Sequence, residues 1–228
     1  MVNNIVIPVR DQLHFTQDIC EQLQFQQGWD VCWVIDNGST DDTYDYLWNL
    51  SGADGRFVPI SAAGQGIYEM WDRGFRLAVE EGADIVTFLN NDLILGPGCI
   101  QEMANVFSLG ANIGIVYPNY DLAVGDGLGS IGGPDVRFTS GTYRHGGMSG
   151  FCFALRASAV TWSPLVDPQF EWYGGDDDIA FNVEAAGYVQ ARIEWMPVDH
   201  IMEGTARHYD LGFTKGEDMA RILTKWGR

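Results

Sequence analysis

The chain has 228 residues, of which 46% are hydrophobic and 19% charged, as is typical of a compact globular protein. Its 31 acidic and 13 basic residues give a formal net charge of −18, which argues against a nucleic-acid partner because phosphate binding needs patches of Lys and Arg. No apolar run approaches the roughly 20 residues of a membrane span, and the first residues do not resemble a charged and hydrophobic leader. We therefore expect a soluble, cytoplasmic protein without a transmembrane segment.

Strands and helices alternate through the first half of the sequence. The four predicted buried strands are residues 4–8, 31–36, 57–60 and 85–89. The three predicted helices are residues 11–27, the segment that ends at Leu50, and residues 66–82. Strands that are apolar on both faces and alternate with helices predict an α/β fold, with a mixed but mostly parallel central sheet flanked by helices.

Three of these strands end next to residues that could bind a ligand. They are Pro8, Val9 and Arg10 at the end of the first strand, Asp36 and Asn37 at the end of the second, and Asn90, Asn91 and Asp92 after the fourth. In open α/β sheets, ligands bind outside the carboxyl ends of the strands. The sequence therefore predicts a ligand site at this edge.

The second half of the sequence has a different pattern. A helix is predicted near residues 98–109, and strands at residues 113–117 and 193–198. Between them, residues 125–147 hold eight glycines and almost no periodicity. A loop of this length favours a mobile binding loop, with a flexible linker as the alternative.

Residues 172–179, which read WYGGDDDI, place three consecutive carboxylates after two aromatic residues and before a helical pattern. Packing gives no reason to concentrate so much like charge beside aromatic surface. A site that removes a proton from a sugar hydroxyl and stacks the sugar on rings gives one such reason. Aspartates also stabilise helix N-termini, so a purely structural role stays open.

Several strings in the sequence resemble those of glycosyltransferase family 2, the inverting nucleotide-sugar enzymes of GT-A fold, in bacterial or phage form. Residues 34–41 (VIDNGSTD) resemble the family's VDNGSTD, and residues 66–74 (GIYEMWDRG) resemble its GIYDAMNKG segment. Residues 88–92 (FLNND) stand where the family carries its D-x-D metal motif. Residues 149–156 resemble an acceptor-side strand, and residues 225–227 (KWG) a related C-terminal string.

The resemblance implies a single GT-A domain over residues 1–228, with a donor half at 1–92 and an acceptor half at 93–228. It implies metal-dependent transfer of a hexose from a UDP-, GDP- or dTDP-linked donor, with inversion. The acceptor hydroxyl would belong to a glycan, a protein or a lipid-linked sugar. Oxygen ligands suit Mn²⁺ or Mg²⁺ as the cofactor.

The resemblance also assigns residues to roles. Asp92 and His200 are the implied metal ligands, with His208 as the rival histidine. Asp176 is the implied catalytic base, and Asp177 is the alternative if the register shifts by one. Donor binding adds Gly66, Tyr68 and Asp72 to the residues at the strand ends, with Asp36 accepting a hydrogen bond from the nucleotide base. Acceptor binding is assigned to Gly150, Trp172, Tyr173 and Gly175.

Two departures from the family pattern keep alternatives open. Asn90 replaces the first carboxylate of D-x-D, and Gly175 stands where the family has a glutamate. A non-catalytic relative that binds carbohydrate or nucleotide is therefore one alternative. A sugar nucleotidyltransferase would need a glycine-rich loop after the first strand, and a dehydrogenase would need the dinucleotide fingerprint there. The residues after Pro8 provide neither.

Overall fold

The computed structural model describes residues 1–120, 135–140, 147–201 and 215–227. The strands are β1 (Asn3–Val9), β2 (Val31–Asp36), β3 (Phe57–Ser61), β4 (Ile85–Leu89), β5 (Leu93–Leu95), β6 (Ile113–Asn119), β7 (Val136–Thr139), β8 (Cys152–Arg156) and β9 (Val189–His200). The helices are α1 (Leu13–Phe25), α2 (Thr43–Ala53), α3 (Ile67–Glu80), α4 (Cys99–Val106), α5 (Gly175–Ala185) and α6 (Lys215–Trp226). Short 3₁₀ turns follow α4 and β8.

One mixed sheet connects the two halves of the sequence. Its strand order is β3-β2-β1-β4-β8-β6-β9-β5, and β7 also pairs with β9. The first four strands in this order pair in parallel, as do β6 and β9. The remaining pairings, including β4 with β8 and β5 with β9, are antiparallel. The predicted α/β fold with a large mixed sheet flanked by helices is confirmed.

Helices cover both faces of the sheet because the central strands are apolar on both sides. On β1, Ile5 and Ile7 face the cluster that contains α1, α2 and α4, while Val6 faces the cluster that contains α3, α5 and α6. All three side chains are fully buried. Such two-sided burial is typical of parallel strands and explains their continuous apolar runs.

The structure departs from the predicted elements in a few places. Helix α1 begins at Leu13 rather than residue 11, because Asp11 and Gln12 have left-handed backbone with φ of 51° and 54°. Strand β7 lies inside the stretch 125–147 that the sequence predicts to be a loop, and it pairs antiparallel with β9. Residues 125–134 and 141–146 of that stretch lie outside the described residues, so its predicted mobility stays a prediction.

The four cysteines, Cys20, Cys32, Cys99 and Cys152, are buried free thiols. Within the described part of the chain, no helix is long and apolar enough to cross a membrane.

Candidate active site

The loops that follow β1 and β2 are bound to each other by side chains from residues 34–41. The carboxylate of Asp36 is almost fully buried and accepts hydrogen bonds from the Gly38 amide at 3.1 Å and from the Ser39 hydroxyl. The same Ser39 oxygen accepts the Asp11 amide at 2.7 Å. In return, the Asp11 carboxylate accepts the amide of Thr40. The left-handed backbone at Asp11 is thus held by a network from the neighbouring loop.

Asn37 connects this network to the loop before α3. Its side-chain oxygen accepts the Gly64 amide at 2.8 Å, and its side-chain nitrogen donates to the Gln65 carbonyl at 2.8 Å. Beside it, Gly38 has a φ of 68°, and a Cβ atom there would lie 2.9 Å from Ala63 Cβ. The structure therefore requires glycine at position 38.

The end of β1 supplies mainly backbone to this edge. Pro8 and Val9 are buried and lie opposite Ile35 and Asp36 of β2, and the Val9 carbonyl accepts the Asn37 amide at 2.9 Å. Arg10, directly after the strand, is partly exposed. The predicted donor-binding residues of β1 and β2 therefore do lie together at the carboxyl edge, and their contacts with a donor stay a prediction.

Asp92 and His200 meet although they are 108 residues apart in the sequence. The antiparallel pairing of β5 with the end of β9 puts Leu93 opposite His200. As a result, Asp92 Oδ1 lies 3.1 Å from His200 Nε2, and the Asp92 side chain is almost fully buried. The Asn90 amide nitrogen lies 3.5 Å from the same histidine nitrogen. Asn91 instead points towards α1, where it donates to the Thr16 hydroxyl at 3.3 Å.

Asp92 and His200 provide one carboxylate and one imidazole, a ligand set that suits Mn²⁺ when phosphate oxygens and water complete the shell. Over the ranges that the structure describes, no group of three His, Cys, Asp or Glu side chains is close enough to bind a metal ion. Among the described residues, these two therefore fit a partial metal site. His208, the rival histidine, lies outside the described residues.

Gly150 and Phe151, which precede β8, contact both predicted centres of the chemistry. The Phe151 ring stacks on the His200 ring, with centroids 4.5 Å apart. The Gly150 amide donates to Asp176 Oδ2 at 3.1 Å. A Cβ atom at Gly150 would lie 2.8 Å from Trp71 Cη2, so a side chain has no room there. Two adjacent residues thus connect the Asp92–His200 pair to Asp176.

The three consecutive aspartates at the start of α5 have different environments. Asp176 and Asp177 are partly exposed, whereas Asp178 is 1% exposed. Asp178 accepts the indole N–H of Trp226 and the ammonium group of Lys225, each at 2.8 Å. The run therefore contains a structural carboxylate, and the C-terminal KWG string supplies its partners.

A second buried carboxylate on α6 holds the segment before α5. Asp218 is 1% exposed and accepts the backbone amides of Trp172 and Tyr173, each at 3.1 Å, and the Arg221 guanidinium at 2.7 Å. Burial opposes ionisation, but these donors outweigh it and lower the pKa of Asp218. Helix α6 thus fixes the backbone of both predicted aromatic acceptor residues, a role that no motif in the sequence indicates.

Gly175 is covered by Tyr68. Its amide donates to the Tyr68 hydroxyl at 3.1 Å, and a Cβ atom at Gly175 would lie 2.2 Å from the tyrosine ring. The structure therefore has no space for the glutamate that the family pattern places here. Burial, and then the nearby Asp176 carboxylate, raise the pKa of Tyr68 well above its ordinary value, which keeps the phenol neutral.

Two further predicted donor residues on this side are engaged within the protein. The Asp72 carboxylate accepts the Leu165 amide at 2.8 Å and pairs with Arg76 at 2.8 Å. The Gly66 amide donates to the Glu69 carboxylate at 2.8 Å, which fixes the start of α3. Asp72 therefore attaches the segment after β8 to α3, and its contact with a donor stays a prediction.

Tyr120 is a site residue that the sequence does not reveal. Its hydroxyl donates to the Cys152 carbonyl at 2.6 Å and accepts the Ser149 amide at 3.3 Å. Its ring packs on Phe151 with centroids 4.4 Å apart. Burial raises its pKa well above the ordinary value, so the hydroxyl stays protonated as it holds the turn before β8.

Three solved structures with the same fold are distant from this chain in sequence. Glucosyl-3-phosphoglycerate synthase from Mycobacterium tuberculosis, in complex with Mn²⁺, UDP and glucosyl-3-phosphoglycerate, has a TM-score of 0.66 and 19% identity, over 99% of this chain and 80% of that chain. GalNAc-T7 with UDP, GalNAc and Mn²⁺ has a TM-score of 0.65 and 12% identity, over 88% of this chain and 44% of that chain. A mannosyltransferase from Pyrobaculum calidifontis, in complex with GDP-Man and Mn²⁺, has a TM-score of 0.61 and 12% identity, over 88% of this chain and 57% of that chain.

These similarities establish the GT-A glycosyltransferase fold for the chain. The chain spans less than half of the length of GalNAc-T7. No curated protein sequence matches it. The family model for glycosyl transferase family 2 matches residues 5–160, which is more than half of the chain. The chain therefore belongs to glycosyl transferase family 2.

Proposed function

We propose that this chain is a metal-dependent, inverting glycosyltransferase, which moves a hexose from a nucleotide-sugar donor to an acceptor hydroxyl within a single GT-A domain. The proposal treats residues 1–92 and 93–228 as donor and acceptor halves that fold together. In support, β4 of the first half pairs with β8 of the second in the centre of one sheet.

The observation that carries the proposal is the position of Gly150 and Phe151. Phe151 stacks on His200, which lies against Asp92, and the next residue back, Gly150, donates its amide to Asp176. A carboxylate that can take a proton is thereby held close to a pair that can bind a cation. Transfer of a sugar from a diphosphate to a hydroxyl needs both groups on opposite sides of the anomeric carbon.

The proposed reaction is a single displacement. Asp176 removes the proton from the acceptor hydroxyl, whose oxygen bonds to the anomeric carbon as the bond from that carbon to the diphosphate oxygen breaks. The nucleoside diphosphate leaves with the bonding electrons, and attack from the opposite face inverts the anomeric centre. Asp92 and His200 would hold Mn²⁺ or Mg²⁺, which when bound stabilises negative charge on the leaving diphosphate.

Asp176 is the proposed base because the Gly150 amide fixes one of its oxygens at 3.1 Å, beside the Phe151–His200 stack. Asp177 lies one helical residue later, and successive residues of a helix point in directions about 100° apart. We assign Asp177 a supporting role in the same site. Asp178 is excluded as a base because its oxygens are buried against α6.

Donor and acceptor would approach from different elements. The ends of β1, β2 and β4 would bind the nucleotide and its phosphates, and the segment from Trp172 to Gly175 would face the acceptor. The complexes of the structural neighbours with UDP or GDP-Man and with Mn²⁺ support a nucleotide-sugar donor and Mn²⁺. Cytoplasmic location and bacterial or phage origin stay predictions from the sequence.

A ligand panel followed by a turnover assay tests the proposal. Thermal unfolding would be measured with UDP-, GDP- and dTDP-sugars, each with and without Mn²⁺, because a ligand of the native state raises the unfolding temperature by mass action. We expect one nucleotide class to raise it only when Mn²⁺ is present, and that donor to release nucleotide faster when an acceptor is added. Donor binding without any turnover would indicate a non-catalytic relative. If no nucleotide sugar bound, the proposal would be wrong.

A further inference from the structure

A cleft of about 580 Å³ lies between α3 and the segment that precedes α5. One wall is the exposed side of α3, with Tyr68, Glu69 and Asp72, and the other is the segment 164–172, with Phe170, Glu171 and Trp172. Tyr68, which lines the cleft, also accepts the amide of Gly175, the residue directly before the proposed base. Its volume lies in the range of small-molecule sites.

The charge of the cleft is unfavourable for an anionic ligand. Glu69, Asp72 and Glu171 line it, and among the described residues that line it Arg76 is the only cation. The Arg76 guanidinium already pairs with Asp72 at 2.8 Å and is 62% exposed, so it offers little to a phosphate or carboxylate. An anion would therefore enter a pocket of like charge within a chain of net charge −18.

The same side chains suit an uncharged sugar. Carboxylate oxygens accept hydrogen bonds from hydroxyl groups, and such charge-assisted bonds are stronger than neutral ones. Trp172 lines the cleft and is 37% exposed, and an indole can pack on the apolar side of a sugar ring. Its backbone amide is bound to Asp218, so sugar binding does not have to order this part of the main chain.

We propose that this cleft binds an uncharged saccharide as the acceptor and selects against phosphorylated or carboxylated sugars. This inference rests on the proposed function for its role as the acceptor site, and it gives to the acceptor Gly66, Tyr68 and Asp72, which the family resemblance assigns to the donor. Glu69 and Asp72 are held by the Gly66 amide and by Arg76, so the selection would be carried mainly by Glu171 and by stacking on Trp172.

Saturation-transfer NMR on the full chain tests binding without requiring turnover. The probes are cellobiose, maltose and lactose as neutral saccharides, and glucose 6-phosphate and glucuronate as anionic ones, each with and without UDP and Mg²⁺. We expect at least one neutral probe to bind and the anionic probes to bind at least about tenfold more weakly. Trp172→Ala should weaken binding of the neutral probe about tenfold or more. Trp48→Ala removes an exposed tryptophan on α2, outside the cleft, and should leave that binding unchanged.

A charge reversal provides a second test that does not depend on the tryptophan. Glu171→Lys should narrow or reverse the preference for neutral over anionic probes. Glu80→Lys makes the same charge change at the exposed end of α3, outside the cleft, and should not alter the preference.

The outcomes separate this inference from the proposed function. Equal binding of glucose 6-phosphate and neutral saccharides by the wild-type chain would overturn the inference, as would equal effects of Trp172→Ala and Trp48→Ala. If nucleotide sugars bind but none of the saccharide probes does, the inference fails and the proposed function stands. If saccharides bind in the cleft but no nucleotide sugar binds, the proposed function fails instead.

Discussion

The donor edge and the acceptor wall of the molecule use their polar residues in different ways. At the donor edge, residues 36–41 are bonded mostly to one another and to neighbouring loops, and the contact between Asp92 and His200 comes from strand pairing. At the acceptor wall, buried carboxylates reach across the chain: Asp178 holds the end of α6, and Asp218 holds Trp172 and Tyr173.

This difference shows that the residues of a recognisable sequence motif are not necessarily the ones that contact a ligand. The VIDNGSTD string is easy to recognise, yet in this structure its side chains mainly build the loops. The run of three aspartates is also easy to recognise in the sequence. Its members differ because successive residues of a helix point about 100° apart, so that Asp178 is buried while Asp176, the proposed base, is partly exposed. The following predictions test whether the two regions divide the work in this way.

The largest expected effect is at the donor edge. Asp92→Ala removes the only carboxylate of the proposed cation pair, so Mn²⁺-dependent stabilisation by the nucleotide sugar should disappear in a thermal-shift titration. His200→Ala should weaken the Mn²⁺ dependence without removing it, because the carboxylate remains. If Asp92→Ala bound donor and Mn²⁺ as well as the wild type, the cation would have to bind elsewhere.

At the acceptor wall, Asp178→Asn should lower the free energy of unfolding by about 2–4 kcal/mol. The change removes one of the two carboxylate partners of the partly buried Lys225 ammonium, which leaves Asp167 at 2.9 Å, and it weakens the bond to Trp226. Asp177→Asn is the matched control, since that side chain is partly exposed and should change stability by no more than about 0.5 kcal/mol. Equal losses of stability in the two variants, measured by urea titration, would show that the packing of α6 does not depend on Asp178.

Gly175→Ala should destabilise the chain by about 1–3 kcal/mol, because the added methyl group would meet the Tyr68 ring. The double variant with Tyr68→Ala should recover part of that loss, since the clash is removed with the ring. Calorimetric unfolding of the two single variants and the double variant measures this coupling. Purely additive losses would mean that the two residues do not compete for the same space.

The smallest predicted effect concerns pH. The pKa of Asp218 lies below its ordinary value of 3.8 in the folded chain, so its stabilising contribution is complete above about pH 4 and is lost as the pH falls through the lowered pKa. The pKa of Lys225 is raised: burial opposes the charge, but Asp178 and Asp167 outweigh it, so its contribution is lost only above its ordinary value of 10.5. The stability difference between wild type and Asp218→Asn should therefore be constant from about pH 5 to 9. A difference that shrank within that window would point to another titrating group.

Much of the fold could be predicted from the sequence because its first half has strong local signals. The buried strands are continuous apolar runs, and the carboxyl edge follows from their parallel order. Strands β5 and β7 were missed, since each is short and is stabilised by pairing with β9 rather than by its own pattern. The left-handed backbone at Asp11 was also missed, because it depends on hydrogen bonds from the next loop.

The candidate site could be predicted only in part, for a related reason. His200 was selected over its rival by resemblance, and the pairing of Leu93 with His200 shows why it lies beside Asp92. The roles of Tyr120 and Asp218 had no signal, because each acts on backbone groups that are distant in the sequence. The missing glutamate at position 175 is explained only by the Tyr68 ring in space.

The central claim, that Asp176 is the base and its neighbours are not, is tested most directly by turnover of Asp176→Asn and Asp177→Asn at saturating donor. General-base catalysis typically contributes roughly 10²–10⁴-fold, so Asp176→Asn should lose at least about 100-fold in acceptor-dependent nucleotide release while its donor affinity is unchanged. Asp177→Asn should lose much less in the same assay. An inactive Asp177→Asn beside an active Asp176→Asn would shift the base by one residue, and full activity in both would contradict the catalytic role of this run.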